Sequence, residues 1–452
     1  MKPFLLKDVV AATGGAFRGD ASALEREITF VTSDSRTAAP GALFVAFKGA
    51  RADGHDFMAG CLEKGAAACL TEREPRAGET PCVVVESTLA AMGALAAWHR
   101  SRFHIPVVGI TGSVGKTTTK EMIAAVLEQK YVTHRTEKNF NNELGVPQTL
   151  LRLGDEHQVS VVEMGISGFG EMRRLTAMVR PTVAVFSVIG YSHLEFLGDR
   201  DGVLRAKSEI FEGMGRDGIA VLNGDDDKLA NCRPDMRRIT YGLGADNDVR
   251  AENVRNLGTD GIELTIRHAG GAFEARIPAF GSHMVYAALA GAAVGLALGL
   301  SEAQIAAGIA GYRTVGDRAR VIEAGEITVI SDCYNANPNS ARAALDSLAS
   351  LQGRRVCILG DMLELGAETA KLHADIGAYA AKLGVEEIIG CGALARHIVE
   401  GARAADGEAT YFPDKERLIA ALPGRIRPGD RVLVKASHSM AFEDIVKALT
   451  EK

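Results

Sequence analysis

The sequence predicts an α/β protein of three domains, and three observations lead there. Its 452 residues are about three times the ~150 residues of a common domain. Hydrophobic residues make up 47% of the chain, enough for a core in each domain. From residue 105 onward, short apolar runs alternate with helix-period segments, the pattern of largely parallel sheets covered by helices. Lys and Arg total 51 against 57 Asp and Glu, a net charge of −6. That balance argues against a broad nucleic-acid-binding face, and it leaves room for a local basic site for a small anion.

Within residues 1–102, strands are predicted in EITFVTSDSR, GALFVAFKG, AAACLTE and PCVVVES. A helix over TLAAMGALAAWHRSRF follows, and Pro106 favours its end there. A second domain is expected over 103–312. IPVVGIT reads as a buried strand, and KTTTKEMIAAVLEQK as a helix with Met122, Ile123, Val126 and Leu127 on one face. QVSVVEMG, PTVAVFSVIG and GIAVLNG read as further strands, while 250–280 alternates as antiparallel strands do. The uncharged stretch 284–300 nears membrane-spanning length, but Ala and Gly dominate it. A helix packed tightly inside a soluble domain is the expectation, because spans carry more Leu, Ile and Phe. A third domain, 313–452, carries strands in ITVISDC, RRVCILG, EEIIGCG and RVLVKAS.

Seven cysteines at 61, 69, 82, 232, 333, 357 and 391 contain no C-x-x-C pair. Reduced thiols are expected, rather than a zinc or disulfide framework. Lys7 and Asp8 stand where an export signal needs its apolar core. A cytoplasmic chain is therefore expected.

The strongest motif is Thr111-Gly112-Ser113-Val114-Gly115-Lys116-Thr117-Thr118-Thr119, between a strand and a helix. Glycines there let backbone N–H groups turn around a phosphate, and the helix N-terminus adds partial positive charge. Lys116 supplies a point charge to the outer phosphates, and the Thr117 hydroxyl can ligate Mg2+. The general pattern has Gly where this chain has Ile110. The plain alternative is a glycine turn without nucleotide. A phosphate loop specifies ATP or GTP but no reaction.

Other candidates lie at strand ends, where open α/β sheets form their ligand crevice. Glu163 ends VSVVE and can reach a cation on Thr117; a capping or surface glutamate would look the same. His193 follows PTVAVFSVIG and can ligate a metal, or be a partly buried histidine. Lys207, alone, reads as an exposed helix lysine. Asp225-Asp226-Asp227 has the look of a metal cluster, but a solvated turn with some sheet-end role is the preferred reading. Asp332, Tyr334, Asn335 and Asn337 crowd SDCYNANP; Asn suits the edge of a purine, and an Asx-turn is the equal alternative.

Together these segments resemble the Mur ligases, ATP-dependent amide-forming enzymes of peptidoglycan precursor synthesis, over nearly the whole chain. SDSRTAAPGALFVAFKGARADGHDF, TGSVGKTTTKE, TEKNFNNELGVP, HLEFLGDRDGVLRAKSEIF, LGDMLELG and DCYNANPNSARAALD carry the resemblance. The family lacks the first glycine of the phosphate motif, which accounts for Ile110. The YNANP segment is similar to the branch that adds a dipeptide. The resemblance implies an N-terminal α/β UDP-binding domain, a central P-loop ATPase-like domain with a mostly parallel sheet, and a Rossmann-like C-terminal domain. It implies UDP-N-acetylmuramoyl-tripeptide, D-Ala-D-Ala and ATP as small-molecule substrates, joined through an acyl phosphate. No nucleic acid and no membrane span are implied, and the chain is expected to act as a monomer.

Residue by residue, the resemblance places Thr111, Gly112, Ser113, Gly115, Lys116, Thr117 and Thr118 on the nucleotide phosphates. Thr117 and Glu163 would hold one Mg2+ and His193 a second. Lys207 matches the lysine that the family converts with CO2 to an anionic carbamate, which requires a neutral amine. Arg318 would reach the nucleotide across the cleft, and Asp332 and Asn335 would contact ribose and adenine. Ser35, Arg36 and Lys48 fall in the UDP-binding region, and Asn139, Asn141 and Asn142 in a substrate-side loop. Family members often read H-N-x-x-N where this chain has His283-Met284-Val285-Tyr286-Ala287. Only His283 remains there as a nucleotide contact. Two other readings are a different Mur-type or folylpolyglutamate-type ligase, and a nucleotide-binding module that makes no bond.

Overall fold

The computed structural model describes residues 1–49 and 52–451. Three main sheets follow one another along the chain. The first has five strands, in the order Ala16–Arg18, Cys82–Val84, Ala68–Thr71, Ala42–Val45, Phe30–Thr32. The last four of these run parallel to one another, and Ala16–Arg18 is antiparallel to its neighbour.

The central sheet has nine strands. From one edge the order is Thr133–Arg135, Val159–Glu163, Val107–Thr111, Val183–Phe186, Ile219–Asn223, Arg237–Gly242 and Val249–Asn256, all parallel. Ile262–His268 and Gly271–Ile277 continue it as antiparallel strands. The inner strands are apolar on both faces because helices cover both sides of a parallel sheet. Strand order reverses around Val107–Thr111, so the loop leaving that strand opens into the crevice.

The third sheet has six strands, in the order Arg320–Ala324, Ile327–Asp332, Arg431–Lys435, Arg355–Leu359, Glu387–Cys391, Ala409–Phe412. All but the first are parallel. Arg320–Ala324 and Ala409–Phe412 escape the sequence reading because they are half-exposed and lack a solid apolar run.

The Ala/Gly-rich stretch forms the helix Met284–Ala297, buried along most of its length. It packs on the phosphate-loop helix Lys116–Leu127, beside the helix Glu302–Gly311. Small residues are needed for that approach: a Cβ on Gly308 would lie 2.4 Å from Val126 Cα. Among the described residues, no helix is long and apolar enough to cross a membrane. All seven cysteines are free thiols.

The helix Thr88–Ser101 joins the first sheet to the central one. Arg100 is buried there and donates to the carbonyls of Val179 (3.0 Å) and Phe103 (2.6 Å). His99, fully buried, has its Nε2 3.0 Å from the Leu153 carbonyl oxygen, the contact of an N–H donor. Burial pushes the His99 imidazole down to about 4, and that of His134 down to about 3. Between those values and the ordinary 6.5, the unfolded chain binds protons that the folded chain refuses. Stability therefore falls as pH drops through this window, by roughly 1 kcal/mol per pH unit for each histidine. Thermal unfolding followed from pH 7 to pH 5 is expected to show a falling midpoint. His99→Gln, which keeps a donor for Leu153, should make the fall shallower; an unchanged slope would contradict this account.

Candidate functional site

A cleft of about 630 Å³ lies between the carboxyl ends of the central and third sheets. Its floor is the phosphate loop. Ile110 is buried in the strand Val107–Thr111, paired opposite Glu163, so this position is sheet core and needs no glycine. Gly112 is where one is required: its φ is +141°, and a Cβ would stand 1.9 Å from Ser187 Oγ. The loop is braced by the segment that follows Val183–Phe186. Ser113 N–H donates to the Val188 carbonyl (2.8 Å), Ser113 Oγ accepts from Gly190 N–H (3.0 Å), and Ser187 Oγ donates to the Val114 carbonyl (2.5 Å). That same segment ends in His193, so the two ligand-facing loops form one hydrogen-bonded unit.

Ser113, Gly115, Lys116, Thr117 and Thr118 line the cleft. Lys116 Nζ folds back to donate to the Gly112 carbonyl at 2.8 Å. Burial lowers its pKa, while Glu163 acts to raise it. Thr117 Oγ1 donates to Glu163 Oε2 at 2.9 Å, and Asn141 Nδ2 donates to Glu163 Oε1 at 2.8 Å. A hydroxyl and a carboxylate side by side are hard oxygen donors that suit Mg2+, with phosphate oxygens and water completing its shell. No group of three or more His, Cys, Asp or Glu suited to a metal occurs among the described residues. A cation on Thr117 and Glu163 would therefore depend on its nucleotide. Thr111 Oγ1, at the root of the loop, and His283 Nδ1, in a cleft-lining residue, are buried without hydrogen-bond partners. Unpaired buried polar atoms of this kind fit a polar ligand.

Lys207 overturns the reading of an exposed lysine: it is 1% exposed, in the helix Arg200–Ser208. Burial first, and then repulsion from Lys116, lower its pKa well below the ordinary lysine value. The tertiary fold creates this, because Lys207 shares the inward face of its helix with Gly202, Val203 and Ala206. His193 adopts a left-handed backbone (φ 53°); burial, first, lowers the pKa of its imidazole, while Glu364 acts to raise it. Asp225-Asp226-Asp227 is neither a metal cluster nor a plain solvated turn. Asp226 is buried and accepts from the backbone N–H groups of Ile189, Lys228 and Leu229. Asp225 accepts from Gly244 N–H (3.0 Å) and the Tyr286 hydroxyl (3.1 Å), and Asp227 pairs with Arg200.

The third sheet supplies the far wall. Asp332 pairs with Lys435, and Lys435 Nζ also donates to the Asn335 carbonyl at 2.8 Å. The Arg318 guanidinium lies 3.8 Å from the Tyr334 ring centroid, and Tyr334 stacks on His438. His283, Arg318, Asp332 and Asn335 all line the cleft. Asn337 caps the helix Pro338–Ala349 by accepting from Ser340 N–H. Of the three asparagines of the substrate-side loop, only Asn141 lines this cleft. Asn142 Oδ1 instead accepts from Gly145 N–H at the start of the helix Gly145–Leu150. Asn139 is exposed. Ser35, Arg36 and Lys48 lie elsewhere, near the first sheet: Ser35 accepts from Lys64, Arg36 pairs with Asp34, and Lys48 bridges to Asp53. Sequence reasoning missed Tyr191 and Asn339, which tie the walls together by Tyr191 N–H donating to Asn339 Oδ1 (3.1 Å). Asn339 stood inside a segment already singled out, but its partner 148 residues away had no sequence signal.

Three family models match: "Mur ligase family, catalytic domain" over 27–135, "Mur ligase middle domain" over 110–295, and "Mur ligase, glutamate ligase domain" over 317–438. The UDP-N-acetylmuramoyl-tripeptide--D-alanyl-D-alanine ligase of Escherichia coli K12 is 37% identical over 440 residues, covering 96% of each chain. A crystal structure of MurF from Acinetobacter baumannii superposes with a TM-score of 0.92 at 33% identity, over 100% of both chains. MurF ligase from Thermotoga maritima in complex with ADP gives 0.83 at 27% identity, over 93% of this chain and 97% of that one.

The buried Lys207 amine sets a stability expectation. From its depressed folded pKa up to the ordinary 10.5, the unfolded state binds the proton. Stability should therefore rise with pH across that window. Lys207→Met removes the buried amine, and in CO2-depleted buffer it is expected to raise the unfolding midpoint at neutral pH and flatten this rise. A lowered midpoint in calorimetry would count against a neutral buried amine.

Proposed function

This chain belongs to the Mur ligase family, and we propose that it joins D-alanyl-D-alanine to UDP-N-acetylmuramoyl-tripeptide, converting ATP to ADP and phosphate. One observation carries the reading. The phosphate loop with Lys116, the Thr117–Glu163 pair and the far-wall residues Arg318 and Asp332 surround a single cleft, in a chain similar end to end to enzymes of that name. We assign the UDP-sugar to residues 1–102, the ATP phosphates to 103–312, and the adenosine part to 313–452 together with His283.

A carboxylate is a poor acyl donor and must be activated. The tripeptide carboxylate attacks the γ-phosphorus, the bond to the bridging oxygen breaks, and ADP leaves. The uncharged dipeptide amine then attacks the acyl carbon. The carbon–oxygen bond to phosphate breaks, phosphate leaves with the electron pair, and the amine gives up a proton. Lys116 is charged for the phosphates, and the loop N–H groups orient them; positioning and charge neutralisation do most of the work in such transfers. Thr117 with Glu163, and His193 with a carbamate on Lys207, would hold divalent cations. When bound, these would spread the negative charge of the phosphates. The depressed pKa of Lys207 favours the neutral amine that reacts with CO2. Closure of the two walls around bound substrates would exclude water, which would otherwise hydrolyse the acyl phosphate.

ADP release coupled to a reporter enzyme is expected only when UDP-N-acetylmuramoyl-tripeptide and D-Ala-D-Ala are both present. Release with single amino acids instead would favour another ligase, and none with any muramoyl peptide would favour a binding module. Lys116→Ala should lower turnover by roughly 100-fold or more, the usual effect of removing one transition-state charge contact, with unchanged circular dichroism. Lys207→Ala should lose activity and regain part of it with excess short-chain carboxylate. Full activity without added acid would contradict the carbamate.

A further inference from the structure

His193 meets a partner from the third sheet. Its Nδ1 lies 2.7 Å from Glu364 Oε2. Glu364 belongs to the loop after the strand Arg355–Leu359 and was not among the candidate residues. The two atoms are within hydrogen-bonding reach, but Nδ1 makes no well-directed hydrogen bond in this conformation.

The loop is built to present this carboxylate. Asp361 Oδ1 accepts from the N–H groups of Leu394 (2.9 Å) and Ala395 (2.8 Å), Met362 N–H donates to His373 Nε2 (2.9 Å), and Leu363 N–H donates to Ser437 Oγ (3.3 Å). Met362 and Leu365 anchor both sides in the core, each 2% exposed. Between them Glu364 is forced into a left-handed backbone, φ 60°, opposite His193 at φ 53°. Each such non-glycine backbone is strained and persists where its surroundings over-determine it. Glu364 is 53% exposed, so attraction between the two side chains alone contributes little; two left-handed residues meeting at one contact between two sheets point instead to positioning.

We propose that Glu364 is a positioning residue for His193: it holds the Nδ1–H so that Nε2 faces the cleft as a cation ligand, and does so only when the third-sheet domain is docked. Metal-binding histidines are commonly fixed in this way by a carboxylate on the other ring nitrogen. The inference rests on the proposed role of His193 as a ligand, and it adds the cause of domain coupling. The cation site on the central domain is completed by a residue it does not itself carry.

The full chain and its Glu364→Ala, Glu364→Gln and His193→Ala variants are titrated with Mn2+ and a non-hydrolysable ATP analogue, with free Mn2+ read by electron paramagnetic resonance. The wild type is expected to bind two Mn2+. Glu364→Ala and His193→Ala should weaken the same one by roughly 10–100-fold, leaving the other unchanged, with Glu364→Gln between Glu364→Ala and the wild type. In histidine-labelled protein, ring 15N shifts should report the Nδ1–H form of His193 in the wild type and its loss in Glu364→Ala, a change that a merely structural role would not produce. Loss of the second Mn2+ in His193→Ala with wild-type binding in Glu364→Ala overturns the inference alone. Wild-type binding in both variants removes the ligand role of His193 as well.

Discussion

Two neighbouring lysines, Lys116 and Lys207, set the terms for everything around them. Lys207 is fully buried, Lys116 is part-buried on the cleft wall, and charge on Lys116 disfavours charge on Lys207. Such an arrangement is unfavourable to fold and becomes favourable once a polyanion arrives. The surrounding structure supplies the rigidity to hold it. The parallel strands place both loop ends at one sheet edge, and the hydrogen bonds from Ser113 and Ser187 lock those loops together.

The second consequence is that no single sheet contains the site. The central sheet offers cationic and oxygen ligands, and the third sheet offers a stacked arginine, an acidic side chain paired with Lys435, and the Glu364 loop. An acyl phosphate is destroyed by water, so a cleft that is complete only when two bodies meet suits the proposed chemistry.

Most of the architecture was legible because parallel α/β sheets leave loud traces. Buried strands such as Val107–Thr111 and Arg431–Lys435 carry the apolar runs VVGI and VLV, and the phosphate loop carries its own glycine spacing. The exposed edge strands were illegible, since half-polar segments of four or five residues look like loops. The aspartate triplet holds the sheet-end place expected of it, but the burial of Asp226 was not legible, for a physical reason. Acidic clusters and hydrogen-bond hubs share a composition, and only the positions of the Ile189, Leu229 and Gly244 N–H groups distinguish them.

The sequence by itself determined the strand–loop–helix to which phosphate binding is assigned, the succession of the sheets and the identity of the groups able to do chemistry. These depend on local spacing, which a chain carries wherever it goes. Only the tertiary structure decided which of those groups lost their water and which met. Lys207 became a neutral amine candidate by being turned inward, Asn141 reached Glu163 while Asn139 and Asn142 did not, and His193 found Glu364 across 171 residues of chain. Burial and long-range encounter depend on the packing of distant segments, and no window of sequence contains that information.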